Sequence, residues 1–417
     1  MTSYIHAMQD TVQQTQTATA SLVGRLKAPA SAKAVLFALL QVRGGAVVVQ
    51  TPDKARLRFG DGQGPETSLK INRWRFARRV LLSGDIGFAE GLMAGEWESE
   101  DLAALLTLIA ANVDRFTRLL EGSLIGKALN WLRHVTRANT RAGARRNILA
   151  HYDLGNRFYE AWLDRSMTYS SARFDKHVRD LESAQQAKYR ALAEHLDLKP
   201  GEHVLEIGCG WGGFAEFAAR EYSVRVTGIT ISDEQFKYAR ERMARAGLSD
   251  RVEIRREDYR DVEGQFDKVA SIEMFEAVGE EYWPAYFKKI ADVLKPGGRA
   301  GLQIITIQDR LFDRYRKRAD FIQRYVFPGG MLASLERLKQ ETAKAGLAWR
   351  KVEAFGQSYA ETLAEWARRF QARWNDIRAL GFDERFKQLW LFYLGYCEAG
   401  FRTGRTDVVQ LELAKPA

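Results

Sequence analysis

The segment 204–213, VLEIGCGWGG, constrains the fold more than any other part of the chain. VLEI has the composition of a buried parallel strand, and the following FAEFAAREY is typical of a helix. Glycine adopts positive φ values and lets a ligand approach the main chain without a Cβ in the way. A glycine-rich turn from strand to helix predicts a nucleotide-like ligand in a doubly wound sheet. The turn contains four glycines: Gly208, Gly210, Gly212 and Gly213.

Strand and helix patterns alternate from residue 151 to the end of the chain. The predicted strands are VLEIGCG, RVTGITI, VEIRRED, FDKVASIEMF, AGLQIITI and the final VVQLELA, with helical patterns between them. Alternation of this kind predicts an α/β fold with a largely parallel sheet and helices on both faces.

The length of 417 residues indicates two or three domains. Residues 1–27 are mostly polar and are expected to be a mobile N-terminus. Residues 28–120 mix helix and strand patterns and are expected to form a small α+β domain. Residues 121–150 are expected to be a basic linker, and residues 151–417 the α/β domain. The basic residues of the linker are Lys127, Arg133, Arg137, Arg141, Arg145 and Arg146.

The formal net charge of +10 and the pI of about 9.4 favour an anionic partner, either nucleic acid or an acidic membrane surface. An ordinary basic soluble surface has the same charge, so charge alone does not separate these alternatives. The two cysteines, Cys209 and Cys397, form no disulfide framework or zinc-type spacing, which indicates a reducing compartment. No secretory signal is expected in the polar first twenty residues, and no apolar run approaches membrane-spanning length.

Two ligands are compatible with the glycine turn. A dinucleotide site needs an acidic residue about 20 positions later, yet the second strand ends at Thr230 without one. Glu206 before the turn and Asp258 after the third strand favour S-adenosylmethionine instead, with Asp258 placed to accept a hydrogen bond from adenine. The order of these motifs, followed by FDKVASIEMFEAVG and LKPGGRAGLQI, resembles the class I methyltransferase fold, a Rossmann-like arrangement.

Further motifs resemble one family, the cyclopropane-fatty-acyl-phospholipid synthases with their mycolic-acid and methyl-branched fatty acid relatives. The motifs are HYDLGNRFYEAWLD, MTYSSARF, VLEIGCGWGGFA, VTGITISDEQ, EDYRD, FDKVASIEMFEAVG and YCEAGFRTGRTDVVQ. The resemblance implies methyl transfer from S-adenosylmethionine to the cis double bond of an acyl chain in a membrane phospholipid. A carbocation forms, a base removes a proton from the new methyl group, and a cyclopropane ring closes.

The resemblance assigns the cofactor site residue by residue. Main-chain N–H groups of the glycine turn, at a helix N-terminus, suit the carboxylate of the methionine moiety. The matching positions are Tyr169, Ser170, Gly208, Gly210, Thr230, Gln235, Asp258 and Tyr259. Glu206 and Gly212 complete the predicted cofactor site as parts of the glycine-turn motif.

The resemblance also implies catalytic residues. Glu276 matches a glutamate that orients the base and offsets cationic charge, and Tyr359 matches a tyrosine that helps to hold the base. Cys397 matches a cysteine long treated as an active-site residue, although alkyl transfer to an alkene does not obviously need a thiolate. Aromatic rings stabilise a cation without attacking it. The aromatic residues considered for this role are Phe275, Tyr282, Trp283, Tyr286, Tyr359 and Phe401.

Two positions depart from the ring-forming members of the family, which hold bicarbonate as the base. Ser171 stands where the family has a cysteine, and Gln303 where it has a histidine. Both side chains form hydrogen bonds, but neither has the same acid–base chemistry. Two products therefore remain open: a cyclopropane ring, or a methyl- or methylene-branched chain formed without ring closure.

The resemblance makes unsaturated phospholipid acyl chains at an anionic membrane surface the expected partner. It implies a cytoplasmic protein that is peripheral at the inner face of the membrane, with a lipid-associated N-terminal domain, and it suggests a homodimer. Nucleic acid is not expected, because the region after the fourth strand has no base-flipping motif. Besides the linker, one cluster of basic residues is expected to face lipid: Arg310, Arg314, Arg316, Lys317 and Arg318.

Overall fold

A computed structural model describes residues 15–121, 154–178 and 180–417. The described residues form two compact units, one before and one after the stretch 122–153. Nearly all of the predicted linker, with its basic residues, lies outside the described residues, as do the first 14 residues of the predicted mobile N-terminus.

The N-terminal unit combines a five-stranded sheet of order β1-β3-β2-β4-β5 with helices. Gly84, whose φ is 62°, ends helix α3 (Arg75–Ser83) and precedes helix α4 (Asp85–Met93). The strands are β1 (Gln16–Thr17), β2 (Ala46–Gln50), β3 (Arg56–Gly60), β4 (Glu66–Ile71) and β5 (Trp97–Glu98). The helices are α1 (Ala20–Arg25), α2 (Ala30–Leu39), α3 (Arg75–Ser83), α4 (Asp85–Met93) and α5 (Leu102–Glu121).

The structure of this unit differs from the sequence prediction in two places, residues 15–27 and strand β4. Residues 15–27 were expected to be mobile, but β1 pairs in parallel with β3, and α1 begins at an N-cap formed by Thr19. Strand β4 was not predicted. Its residues alternate between exposed and buried positions, but a polar ETSLKI sequence has little of the composition of a strand.

The C-terminal unit alternates strands and helices as predicted. Its strands are β6 (His203–Ile207), β7 (Arg225–Thr230), β8 (Val252–Arg256), β9 (Phe266–Ile272), β10 (Leu294–Ile307), β11 (Ala348–Ala354) and β12 (Thr406–Ala414). Its first helices are α6 (Asn156–Glu160), α7 (Leu181–Leu196), α8 (Gly213–Glu221), α9 (Asp233–Arg245) and α10 (Trp283–Val293). The later helices are α11 (Asp309–Tyr315), α12 (Phe321–Tyr325), α13 (Leu335–Lys344), α14 (Gly356–Ala372), α15 (Trp374–Ala379) and α16 (Glu384–Arg402).

The sheet of this unit has seven strands in the order β11-β12-β10-β9-β6-β7-β8. In this sheet, the neighbours from β10 to β8 pair in parallel, and β12 runs antiparallel to both of its partners, β10 and β11. The chain winds outwards in one direction from β6 and in the other from β9. Such a reversal opens a crevice at the carboxyl ends of these two strands, where ligands bind in doubly wound sheets.

Apolar layers pack on both faces of the large sheet. One contains Leu192, Phe214 and Ala218 from α7 and α8. The other contains Phe287 and Ile290 from α10. Burial on both faces explains the continuous apolar runs of the central strands.

Candidate active site

The glycine-rich turn connects β6 with α8 and is tied to β7. The main-chain N–H groups of Gly208 and Cys209 donate to the carbonyl of Ile229 at 3.0 and 2.9 Å. Gly208 and Gly210 have φ values of 80° and 54°, in the left-handed region that favours glycine. A Cβ at Gly208 would lie 2.6 Å from Cγ of Met274, whereas a Cβ at Gly210 would meet no atom of the described residues within 4 Å. The turn therefore leaves open space beside Gly210.

A cavity of about 1030 Å³ lies over this turn. Of the residues predicted to bind the cofactor, only Gly212 does not line it; this glycine is the N-cap of α8, with a φ of 81°. The predicted residues that line the cavity are Tyr169, Ser170, Glu206, Gly208, Gly210, Thr230, Gln235, Asp258 and Tyr259.

The turn and Glu206 have the chemistry that S-adenosylmethionine needs. The N-cap Gly212 places no side chain over the first N–H groups of α8, which suits a carboxylate. Glu206 is buried, and its Oε2 atom has no hydrogen-bond partner within the described part of the chain. A buried, unpartnered carboxylate oxygen is an acceptor for an ammonium group. Burial raises the pKa of Glu206 to about 8, against the effect of Lys188 and Arg242.

The side chains after β7 and β8 are held in place by local hydrogen bonds. The Thr230 hydroxyl donates to Oε1 of Gln235 at 2.9 Å and accepts from the Ser232 N–H at 3.2 Å. Arg260 donates to both carboxylate oxygens of Asp258, at 2.9 and 2.6 Å. The predicted adenine contact of Asp258 would therefore share its carboxylate with a guanidinium group.

A second group of residues converges on Glu273, directly after β9. Its Oε1 atom accepts from the Ser171 N–H at 2.8 Å and from Nε2 of Gln303 at 2.7 Å. Its Oε2 atom accepts from the Tyr359 hydroxyl at 2.6 Å. Glu273, whose carboxylate has these three donors, also lines the cavity over the glycine turn.

The orientation of Gln303 is set by Gln410 on β12. Gln303 and Gln410 are paired in the β10–β12 register, and Nε2 of Gln410 donates to Oε1 of Gln303 at 3.1 Å. The amide nitrogen of Gln303 is therefore directed towards Glu273. The Ser171 hydroxyl donates instead to the Ala172 carbonyl at 2.8 Å, so this residue serves the carboxylate through its main chain.

The sequence did not reveal two unusual residues of this site. Glu273 has a strained backbone, and Lys188 is a buried basic residue. Glu273 has a φ of 49°, which is uncommon for a residue other than glycine. Burial raises its pKa, although Tyr359, Lys188, Ser171 and Gln303 all act in the opposite direction. Lys188 is fully buried, donates to the Ser170 hydroxyl at 2.6 Å, and has its pKa lowered by burial to about 7. Strained backbone and perturbed ionisable groups in a cavity indicate a functional site.

None of the predicted catalytic residues lines the cavity itself: Ser171, Gln303 and Tyr359 contact Glu273, which does line it, and Glu276 and Cys397 also lie outside the lining. Oε1 of Glu276 accepts from the Ile305 N–H at 2.5 Å, and burial, followed by the charge of Glu273, raises the pKa of Glu276 to about 8. Burial likewise raises the pKa of the Cys397 thiol. A thiol that keeps its proton is a poor nucleophile.

The aromatic residues considered for cation stabilisation have different positions. Phe275, Trp283 and Tyr286 are buried in the core beside the sheet. Tyr282 is 45% exposed and lines the cavity. Tyr359 stacks on Phe401, with ring centroids 4.4 Å apart.

The sequence interpretation missed Glu273 and Lys188. The available signal for Glu273 was an acidic residue at the carboxyl end of a buried parallel strand, beside the glycine turn in a doubly wound sheet. Lys188 carries no comparable signal, because it occupies an ordinary position in helix α7.

Comparisons with known proteins agree with this geometry. The family model described as mycolic acid cyclopropane synthetase matches residues 139–411. The chain is 41% identical to "Tuberculostearic acid methyltransferase UfaA1" of Mycobacterium tuberculosis over 81% of each chain. It is 36% identical to the cyclopropane-fatty-acyl-phospholipid synthase of Escherichia coli K12, covering 85% of this chain and 89% of that one.

A solved structure shows the same fold. The crystal structure of the mycolic acid cyclopropane synthase CmaA1 complexed with SAH and CTAB is 30% identical, with a TM-score of 0.61. The match covers 65% of this chain and 98% of that chain. The predicted class I methyltransferase fold is thereby confirmed. The chain belongs to the mycolic acid cyclopropane synthetase family and is an S-adenosylmethionine-dependent methyltransferase.

Proposed function

We propose that this methyltransferase acts on the cis double bond of unsaturated acyl chains in membrane phospholipids and forms cyclopropane fatty acids through a carbocation. The observation that carries the proposal is that the glycine turn and Glu273 line the same cavity. When bound, S-adenosylmethionine supplies an electrophilic methyl group. An alkene is a weak nucleophile, so the protein contributes positioning and stabilisation of the developing positive charge.

The described residues supply both contributions. Met167, Ile272 and Met274 give the cavity an apolar lining that suits an acyl chain and limits access of water. Tyr169 places an aromatic ring in the same wall, and its hydroxyl forms a 2.7 Å hydrogen bond with the Tyr393 hydroxyl. The negative charge of Glu273 offsets a cation formed nearby.

A second candidate product is a methyl- or methylene-branched chain that forms without ring closure. The 41% identical relative is named a tuberculostearic acid methyltransferase rather than a cyclopropane synthase. Ser171 and Gln303, which replace a cysteine and a histidine of ring-forming members, favour the same alternative. Both candidates share the methyl transfer and differ only in the fate of the cation.

We infer that the enzyme reaches its substrate as a cytoplasmic protein at the inner face of an anionic membrane. The net charge of +10 supports this inference, since each basic residue near anionic lipid contributes about 1 kcal/mol. Lys317 is exposed, whereas Arg316 donates to Glu280 at 3.0 Å and is partly neutralised. No helix in the described ranges is long and apolar enough to cross a membrane. A homodimer remains a proposal based on the family resemblance.

Product analysis on phospholipid vesicles tests the function. The purified protein and S-adenosylmethionine are incubated with anionic vesicles of cis-unsaturated phospholipid, and the acyl chains are examined by mass spectrometry before and after hydrogenation. A gain of one CH₂ unit with no remaining hydrogenation-sensitive double bond supports the ring. A gain with a retained double bond supports the branched product, and no gain contradicts both.

Two matched vesicle preparations act as controls. Saturated phospholipid of the same headgroup lacks the acceptor double bond and is expected to stay unmodified. Zwitterionic unsaturated vesicles keep the double bond but lack the negative surface, so slower modification is expected if anionic lipid recruits the enzyme. Equal rates on both surfaces would contradict the proposed membrane attraction.

A further inference from the structure

We propose that Glu273 is the base of the reaction, a carboxylate of the chain itself in the place that the family resemblance assigns to bicarbonate. This inference rests on the proposed methyl transfer to an acyl double bond. It applies equally to the cyclopropane and to the branched product, because both require removal of a proton from the transferred methyl group.

The hydrogen-bond donors around the carboxylate support this assignment. The resemblance gives bicarbonate four neighbours, at the positions of Ser171, Glu276, Gln303 and Tyr359. In the structure, the three of these that donate hydrogen bonds all donate to Glu273, at 2.8, 2.7 and 2.6 Å. The fourth, Glu276, is itself an acid. A bicarbonate ion needs the same donors and carries the same negative charge as Glu273, so these residues do not fit it while Glu273 is present.

The backbone at position 273 gives independent support. Its φ of 49° is a conformation in which a glycine is unstrained and a glutamate is not. The chain nevertheless places here a glutamate that lines the cavity and whose carboxylate accepts from three donors. A strained conformation that holds a reactive group in a cavity is more readily explained by chemistry than by stability.

The proton transfer balances for either product. After a methyl group has bonded to one alkene carbon, the neighbouring carbon is cationic. In ring closure, a C–H bond of the methyl group breaks, its electron pair forms the second C–C bond, and the proton passes to a Glu273 oxygen. In the branched case, a hydride first shifts to the cationic carbon. The positive charge is then on the carbon that bears the methyl group. The electron pair of a methyl C–H bond forms a C=C bond from the methyl carbon to this carbon, and the proton again passes to Glu273.

Bicarbonate dependence provides the test. Wild-type turnover on unsaturated vesicles is expected to be equal in carbon-dioxide-free buffer and in buffer with added bicarbonate. Glu273→Gly, which suits the local φ, is expected to lose turnover by roughly 10²–10⁴-fold in carbon-dioxide-free buffer, the usual contribution of a general base. Added bicarbonate is expected to restore part of the activity of this variant, because the three donors are then available to a free anion.

Glu273→Gln keeps the size of the side chain and carries the test if the glycine variant does not fold. It is expected to lose turnover to a similar degree and to gain nothing from bicarbonate, while calorimetry shows retained S-adenosylmethionine binding. Glu361→Gln, an exposed glutamate on α14, is the matched control and is expected to keep wild-type turnover. A wild-type enzyme that stops without bicarbonate, or a Glu273→Gln variant with full turnover, would overturn the proposal.

A binding measurement separates this inference from the proposed function. Isotopically labelled bicarbonate is followed by carbon NMR with each protein in the absence of lipid. Line broadening is expected with Glu273→Gly and not with the wild-type protein. Broadening with the wild type would overturn the role of Glu273 whatever the substrate. A wild type that modifies no vesicle but shows the expected NMR contrast would contradict only the phospholipid function.

Discussion

The cavity is built differently at its two ends. At the cofactor end, the glycine turn 208–213 shapes the wall with main-chain atoms and positive φ values. At the acid end, donors from distant parts of the chain converge on Glu273: the main-chain N–H of Ser171 and the side chains of Gln303 and Tyr359. The first end is local in sequence, and the second depends on tertiary structure.

Met274 links the two ends. It follows Glu273 in the chain, and its Cγ atom would be 2.6 Å from a Cβ added at Gly208. Methyl transfer needs the methyl donor and the base at the correct distance from each other. A small displacement at the contact between Met274 and Gly208 is therefore expected to lower the reaction rate. At the cofactor end, which main-chain atoms form, an added side chain is poorly tolerated wherever the space is already filled. At the acid end, loss of any one hydrogen-bond donor to Glu273 is expected to change activity.

The largest effect is expected for Gly208→Ala, which disturbs the boundary between the ends. Left-handed backbone costs about 1–2 kcal/mol for alanine, and the overlap with Met274 adds about 1–3 kcal/mol. Gly210→Ala is the matched control, with a φ of 54° and no atom of the described residues within 4 Å of the added Cβ. It is expected to lose only the backbone contribution, about 1–2 kcal/mol.

Urea unfolding and calorimetry with S-adenosylmethionine measure both variants. Gly208→Ala is expected to show the larger fall in the free energy of unfolding. Gly210→Ala is expected to show weakened S-adenosylmethionine binding, because its new methyl group enters the cavity. Equal stability losses would contradict the packing argument, and unchanged affinity in Gly210→Ala would place the cofactor elsewhere.

A smaller effect is expected for Tyr359→Phe at the acid end. The substitution removes the 2.6 Å hydrogen bond to Glu273 and keeps the stacking on Phe401. Hydrogen bonds to charged groups contribute about 1.5–3 kcal/mol, so kcat is expected to fall by roughly tenfold to hundredfold. This hydroxyl lowers the pKa of Glu273. Its loss is therefore expected to move the acid limb of the kcat–pH profile to higher pH.

The pH profile distinguishes this role from simple packing. Tyr222→Phe removes a partly exposed hydroxyl at the end of α8 and is the matched control. It is expected to leave both kcat and its pH dependence unchanged. If Tyr359→Phe lowers kcat without moving the acid limb, the hydroxyl does not act through the ionisation of Glu273.

The fold was largely predictable because its central strands are buried on both faces. Strands β6, β7, β9 and β12 appear in the sequence as apolar runs at the expected spacing. Strand β11 was missed, since it lies at the sheet edge and its AWRKVEA sequence is exposed or half-buried throughout. An edge strand with charged side chains has neither an apolar run nor a clear alternation.

The site was predictable only where it is local. The cofactor-binding prediction relied on the turn and on residues at strand ends, and these residues share the cavity wall. The link between Glu273 and Gln303 depends instead on the β9–β10 register, which pairs Gln303 with Ile272. The contact with Tyr359 spans 86 positions along the chain. No sequence pattern specifies such a convergence without the tertiary structure.

The smallest effect is expected for Glu276→Gln at the acid end of its pH window, and this variant compares the two neighbouring acids. Glu276 has one main-chain donor where Glu273 has three donors, and its pKa is raised from 4.5 to about 8. Between these pH values the folded protein keeps a proton that the unfolded chain has lost. The wild-type free energy of unfolding therefore decreases as pH rises through this window. Glutamine does not ionise, so the variant is expected to lack this decrease. Urea unfolding at both ends of the window measures it: relative to wild type, Glu276→Gln becomes more stable at the alkaline end, and parallel curves would show that Glu276 ionises normally in the folded protein.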